Sequence, residues 1–307
     1  MSDLIEMLTL PFLACLLMGT ILSYLGIHVL KREVIFIDIA VAQVAAIGAL
    51  AAHLLLDVEE SSLASYLFSL AGVLAIAAFY SITRHKISEI SVEAVIGISY
   101  AITAAGALFL MGVAPGHTHA QEMLAGALLW IMGPQVLTAL VVFAAIGLVL
   151  WLLRKPMLAV SQNYAQAAAQ GMNVAWWDFL FYALLGAVIT VAVRISGVVT
   201  VFALLIIPAT TSALFATGWG ARMLLAWLTV VIASTSGLLF SYYLDFSVGP
   251  AIALCLGGVL AAVASLTALR TKLGSNTPPT DSASRPQDRS GPGRETREPT
   301  GRSPGIP

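Results

Sequence analysis

The sequence predicts an all-α protein, a polytopic transmembrane helical bundle of about eight or nine spans. Three observations predict it. Hydrophobic residues make up 59% of the chain and charged residues only 10%, against about 25% charged in soluble domains. A mean hydropathy of +0.92 over 307 residues is more than water-soluble packing can hide. Apolar runs of about 20 residues, enough to cross the hydrocarbon core, recur along the chain, with basic residues gathered in alternate gaps between them. The net charge of −1 offers no strong field to nucleic acid or another polyanion.

The runs fall at roughly 7–30, 36–56, 63–82, 92–113, 134–153, 176–194, 197–216, 223–243 and 249–269. Nine spans follow, or eight if 197–216, interrupted by Pro208, or its neighbour is broken or re-entrant. The first run is preceded by Asp3 and Glu6, where a secretory signal would be basic, so it is expected to stay as a span. Cys15 and Cys255 both lie inside apolar runs and read as small packing residues, not a disulfide or metal pair.

The second run opens Phe36-Ile-Asp-Ile-Ala-Val-Ala-Gln43. A carboxylate at the bilayer centre costs roughly 2.5–3.5 kcal/mol on insertion scales. Asp38 therefore either serves a transport path or sits at the interface near Lys31-Arg32. Gln43, five positions deeper, stands about 140° around the helix from it. The gap after the fourth run holds His117-Thr-His119, with Glu122 three residues on. Two imidazoles and a carboxylate suit zinc or a similar borderline ion, or they line a solvated loop. Glu93 and Asp178 lie at span ends, where charge needs no function, and His28, His53 and His85 are assigned none.

Orientation follows from Lys31-Arg32, Arg84, Lys86, Arg154-Lys155, Arg222, Arg270 and Lys272. Placing these in the cytoplasm puts nine of the ten basic residues before position 274 inside. Arg194 alone is left outside, where it snorkels, pairs with an acidic group or meets a partner. The N-terminus and Asp57-Val-Glu-Glu60 then face outward. From Gly274 the chain carries seven of the thirteen prolines and nine alternating charges. Such a segment cannot offset its ordering entropy, so 1–273 reads as a transmembrane domain and 274–307 as a disordered cytoplasmic tail.

Between the fifth and sixth runs lies an uncharged polar stretch, Ser161-Gln-Asn-Tyr-Ala-Gln-Ala-Ala-Ala-Gln-Gly-Met-Asn-Val174. Its alanines and glutamines favour a short helix over 161–174 and Gly171 supplies a stop. It is an ordinary interfacial helix or the surface offered to a cytosolic motor. No G-x-x-x-x-G-K-[ST] loop occurs, so a nucleotide that drives this chain by that route is bound by another polypeptide. In the seventh run, Pro208 and the hydroxyls of Thr200, Thr211 and Ser212 suit a helix lining a cavity, and equally a kinked packing helix.

Several stretches together resemble the zinc/manganese permease family of ABC transporters. Gly197-Val-Val-Thr-Val-Phe-Ala-Leu-Leu-Ile-Ile-Pro-Ala209 is similar to its "VGVLLVSALLIIPAA" signature, and Tyr242-Tyr-Leu-Asp-Phe-Ser-Val-Gly-Pro250 to its "YYLDLPSGP" turn. Ala168-Ala-Gln-Gly-Met-Asn-Val174 resembles the end of its coupling segment, and Glu122-Met-Leu-Ala-Gly-Ala-Leu-Leu-Trp130 its "LLFGNIL" element. The likeness runs from about residue 10 to 270. It implies an ABC importer permease, not itself an enzyme, that passes a divalent cation, zinc ahead of manganese or iron, with no permanently bound cofactor. It also implies a paired permease (homodimer or heterodimer), a cytosolic ABC ATPase and an extracytoplasmic metal-binding protein, in a bacterial cytoplasmic (inner) membrane. Membrane lipid would surround it. Coupling to the ATPase falls to Gln162, Ala165, Ala168, Ala169 and Gly171. The cavity falls to Thr200, Pro208, Thr211 and Ser212, and the metal to Asp38, Gln43, His117 and His119. In the second span Gln43 stands where the family has histidine, and Ile39 where it has aspartate. An ion-gradient-driven transporter would show repeated halves with buried ionisable residues, and no clear repeat is evident. A membrane scaffold is the third class.

The topology makes a direct prediction. A cysteine at Gln166 reacts with an impermeant maleimide only after permeabilisation, and one at Glu59 reacts without it. Reversed labelling overturns the orientation.

Overall fold

The computed structural model describes residues 2–59, 62–86, 90–113 and 128–274. His117, His119, Glu122 and the 275–307 tail lie outside the described residues. The helices are α1 (Ser2–Arg32), α2 (Ile37–Leu56), α3 (Leu63–Lys86), α4 (Val92–Val113), α5 (Gly133–Leu152), α6 (Arg154–Gln162), α7 (Tyr164–Ala169), α8 (Val174–Ser196), α9 (Val198–Phe215), α10 (Trp219–Leu244) and α11 (Val248–Gly274). A 3₁₀ turn at Leu128–Trp130 precedes α5.

Among the described residues, nine of these helices are long and apolar enough to cross a membrane. The count is nine and not eight because Pro208 sits inside α9 without breaking it. The separation of α8 from α9 is made by one residue instead. Gly197, at φ 77° and ψ 163°, occupies a region open essentially to glycine alone.

Burial separates an inner layer from an outer one. In α8 and α1 the most apolar windows are 72% and 61% buried, but in α4, α5 and α11 only 17%, 17% and 11%. The outer helices turn apolar residues such as Ile98, Phe109, Leu137 and Leu254 outward, as lipid-facing helices must. α2 packs on α3 and α4, and α3 on α8. α1 lies against α5, α9 and α10, and α11 covers α9 and α10.

Without a hydrophobic drive between helices in lipid, close backbone approach does much of the joining. Gly48 shows it at the α2–α3 contact. A Cβ there would sit 2.7 Å from the Phe68 carbonyl oxygen and 2.7 Å from Ser69 Cα. Beside it, Ser69 Oγ donates to the Ala45 carbonyl at 2.8 Å. Helix ends are made by unusual conformers: Glu33, Asp57 and Asp245 take φ of 56°, 50° and 52°. After α1, Glu33 N–H bonds Leu30 O at 3.3 Å and Val34 N–H bonds Val29 O at 3.3 Å. That is the paired closure usually built on glycine.

Because backbone, not a flexible side chain, opposes the added group, Gly48→Val is expected to destabilise the chain by about 1–3 kcal/mol. The check is thermal unfolding of the purified protein in detergent against Gly257→Val, which meets open space.

Candidate functional site

The polar stretch is not one helix. Asn163, extended at φ −151°, closes α6 and opens α7, and its side chain accepts from Gln166 N–H at 3.0 Å. This corrects the expected continuous helix over 161–174. An asparagine inside a short polar run is more useful as a cap than as a helical residue. The stop at Gly171 is where the sequence puts it. Gly171, at φ 80°, donates to Ala168 O at 3.0 Å, and Met172 N–H reaches Ala167 O at 3.2 Å. Asn173 then caps α8 by accepting from Trp176 N–H at 3.1 Å.

The two short helices have an inner and an outer face. Val160, Ala167 and Val174 are buried in a small cluster with Tyr164, Met172 and Trp177 packed on it. Gln162, Ala165, Ala168, Ala169 and Gly171 are all exposed.

Beneath the inner face lies a network of charge that sequence reasoning missed. Ser161 Oγ donates to Met157 O at 2.9 Å. A hydroxyl has one proton, so Arg32 Nε–H and the His28 Nδ1 edge, each 2.9 Å away, both donate to it. That assigns His28 the neutral Nδ1–H tautomer from the network. Arg32 also forms a short ion pair with Asp178 Oδ1. Its guanidinium lies over the Phe181 ring at 4.2 Å. Arg84 Nε stands 3.7 Å from the other Asp178 oxygen, and Arg84 donates to Tyr182 Oη at 3.0 Å and to Arg32 O at 3.3 Å. Arg32 and Asp178 are 3% and 0% exposed.

The network reaches α7 through Tyr164. Its hydroxyl is 2.8 Å from His85 Nε2, and its ring carries the Arg84 guanidinium at 5.0 Å. Burial, followed by the negative charge of Asp178, pushes the Tyr164 phenol up to about 12. It therefore keeps its proton across the physiological range. Five helices, α1, α3, α6, α7 and α8, meet in this cluster. The available signal was Asp178 itself, an acidic residue four positions inside a span on the side where basic residues gather.

Asp38 is 2% exposed, and one of its oxygens has no hydrogen-bond partner. Gly186 of α8 lies against Val41 of α2, eight residues along from Asp178. At 1.5 Å per residue this puts Asp38 about 7 Å further into the bundle than Asp178. Gln43 is half-buried on the same helix, and the helix does not bring the two together. Among the described residues no group of three or more His, Cys, Asp or Glu could hold a metal ion. On α9, Thr200, Pro208, Thr211 and Ser212 are buried. Thr211 Oγ1 and Ser212 Oγ turn back onto Ile207 O (2.8 Å) and Ala209 O (2.7 Å), and neither of the two described cavities is lined by any of the four. Arg194 lies 3.9 Å over the Tyr66 ring and donates to Ser65 and Ser69.

These features define a polytopic helical membrane protein with a short helix displayed at its basic end and joined to the spans through Tyr164, beside a cluster of buried charge. The sequence model of the ABC 3 transport family matches residues 4–267, and the chain belongs to that family. It is 31% identical over 167 residues to the manganese import system permease protein ScaB of Streptococcus parasanguinis, covering 54% of this chain and 60% of that protein. It is 28% identical over 181 residues to the chelated iron transport system membrane protein YfeC of Yersinia pestis, covering 59% and 61%. The chain thus matches about three-fifths of the length of these curated relatives. The fold is similar to PsaBC from Streptococcus pneumoniae, solved in complex with Fab, with a TM-score of 0.71 and 24% identity over 85% of this chain and 94% of that one.

Removing one partner of a buried ion pair leaves the other charge unpaired, at about 3–5 kcal/mol. Asp178→Ala is expected to destabilise by that order. Ser161→Ala, which removes one neutral group from the same cluster, is expected to lose about 1–3 kcal/mol. Thermal unfolding of both purified variants in detergent measures the ranking.

Proposed function

We propose that this chain is the permease subunit of an ATP-driven importer of a divalent first-row transition-metal cation. The observation that carries the reading is the α7 segment. It displays Ala165, Ala168 and Ala169 on a smooth outer face, and its inner face is tied to α1, α3 and α8 through Ser161, Tyr164 and the Arg32–Asp178–Arg84 cluster. A surface that is free outside and rigidly joined inside is what a motor needs to move a bundle. ATP is hydrolysed by a separate cytosolic ABC ATPase docked on α7, and the working unit holds two permease chains in a bacterial cytoplasmic membrane, N-terminus outside.

Pressure on α7 passes through Arg84 to α3 and through Asp178 to α8. Both helices pack on α2, which carries Asp38 and Gln43. At the far end, Leu128–Trp130 and 246–249 border a cavity of about 170 Å³, and Trp130 is exposed there. This rim is the docking place for an extracytoplasmic metal-binding protein. The cation path runs past α2 and the α9 residues Thr200, Pro208, Thr211 and Ser212.

The sequence resemblance puts zinc first. The chemistry along α2 supports manganese ahead of it: Asp38 and Gln43 offer only oxygen, and carboxylate and carbonyl donors suit manganese where imidazole and thiolate suit zinc. Relatives named for manganese and for chelated iron agree with that order.

Two measurements test the reading. Ala168→Glu should lower retention of the ATPase by at least about tenfold while the permease still inserts, and Ser212→Ala should leave docking unchanged. Normal docking and uptake by Ala168→Glu would reduce α7 to a loop. In proteoliposomes of the assembled transporter, ATPase stimulation and uptake should rank manganese above iron and zinc. Stimulation by none of these ions overturns the metal assignment.

A further inference from the structure

The largest described cavity is not on α2, α7 or α9. It holds about 520 Å³ and lies between α1, α5 and α10, within the roughly 300–1,000 Å³ range of small-molecule sites. Its walls are apolar along most of their length, with Leu17, Ile21, Leu140, Phe143 and Leu150 among them. On α5 the lining runs from Leu140 to Trp151, about 16 Å at 1.5 Å per residue. That is the depth of one leaflet of a hydrocarbon core about 30 Å thick. Leu140, Trp151 and Trp227 are exposed on the rim, so the groove opens sideways to lipid.

One end of this groove is unlike the rest. Arg154 lines it, with its guanidinium 5.1 Å over the Trp151 ring, and its charge acts on the Tyr24 phenol inside the groove. Trp219 lines the same end and carries the Lys31 ammonium at 5.1 Å. The like charge of Arg222 acts on Lys31 in turn. Two cations, Arg154 and Lys31, therefore stand over aromatic rings at one mouth, beside Tyr24. Tryptophan and tyrosine favour headgroup depth, and anionic lipid attracts basic groups placed there. The deeper wall offers little for a polar ligand, since Trp227 Nε1 already faces Thr20 O at 3.4 Å.

We propose that the α1–α5–α10 groove is a binding site for one anionic phospholipid. An acyl chain fills the apolar length, and the phosphate is held by Arg154 with Lys31 beside it. The bound lipid touches the coupling region indirectly. Tyr24 and Trp219 both pack edge-on against His28, at 4.9 and 4.8 Å, and His28 donates to Ser161. The proposal needs only a membrane-spanning chain, not a transported ion.

The test uses the purified full chain, delipidated in detergent, with dioleoylphosphatidylglycerol and dioleoylphosphatidylcholine as probes. Native mass spectrometry should retain one phosphatidylglycerol per chain, and that lipid should raise the unfolding temperature more than phosphatidylcholine does. Arg154→Gln should weaken phosphatidylglycerol binding about fivefold and leave phosphatidylcholine unchanged. Gly147→Trp, at a lining position where an added Cβ meets nothing within 4 Å, should abolish retention of both lipids with the fold intact by circular dichroism. Equal binding of the two lipids by the native chain overturns the proposal. So does a Gly147→Trp variant that keeps its lipid, or one that loses a dimer instead of a lipid, which would make the groove an interface between copies.

Discussion

A guanidinium that is 3% exposed inside a helical bundle is costly without a counter-charge, and Arg32 has Asp178. Much of the basic end depends on that pairing. It fixes the end of α1 against the start of α8, and the Asp178 oxygen left over faces Arg84, which brings the end of α3 to the same point. Ser161 joins because Arg32 has a further N–H to satisfy. With a buried and a partly buried cation beside one buried anion, the cluster holds an excess of positive charge that hydroxyl and carbonyl oxygens spread. Tyr182, Ser161 and the Arg32 carbonyl do so. A buried polar network of this kind is favourable only when its members are nearly all satisfied.

The opposite end of α8 also holds an arginine. Arg194 has Ser65, Ser69 and the face of Tyr66. α8 therefore meets α3 through an arginine at both ends, and its side chains between them are largely buried. The single-residue turn at Gly197 carries this anchored helix straight into α9. α8 has little room to shift alone. Displacement at the basic end is shared with α3 and α9.

The spans were legible in the sequence because hydropathy is local. Nine runs found by length and composition match nine helices closely, with α10 starting at Trp219 instead of near 223. The stop at Gly171 was legible for the same reason, since a positive φ is a property of one residue. Membership of the family rested on motifs that are themselves short. The Arg32–Asp178–Arg84 cluster was not legible. Its members lie far apart along the chain, and only Asp178, four positions inside α8 on the basic side, carried a signal when taken alone. His28 and Ser161 were invisible for a further reason, since their roles exist only once α1 and α6 touch. The break at Asn163 was readable in principle, because asparagine prefers a cap, but the surrounding Ala and Gln outweighed it.

The outer face of α7 has one more consequence. Alanine has no side-chain rotamers to lose on burial, whereas a glutamine or lysine forfeits up to about 1.5–2 kcal/mol of conformational freedom. The face made by Ala165, Ala168 and Ala169 can thus be covered and uncovered with almost no entropic penalty on this side of the contact. Its backbone is already held by the Asn163 cap and the Gly171 closure, so little ordering remains to be done there either. On the function proposed above, a partner that docks on this face meets little ordering cost on the permease side.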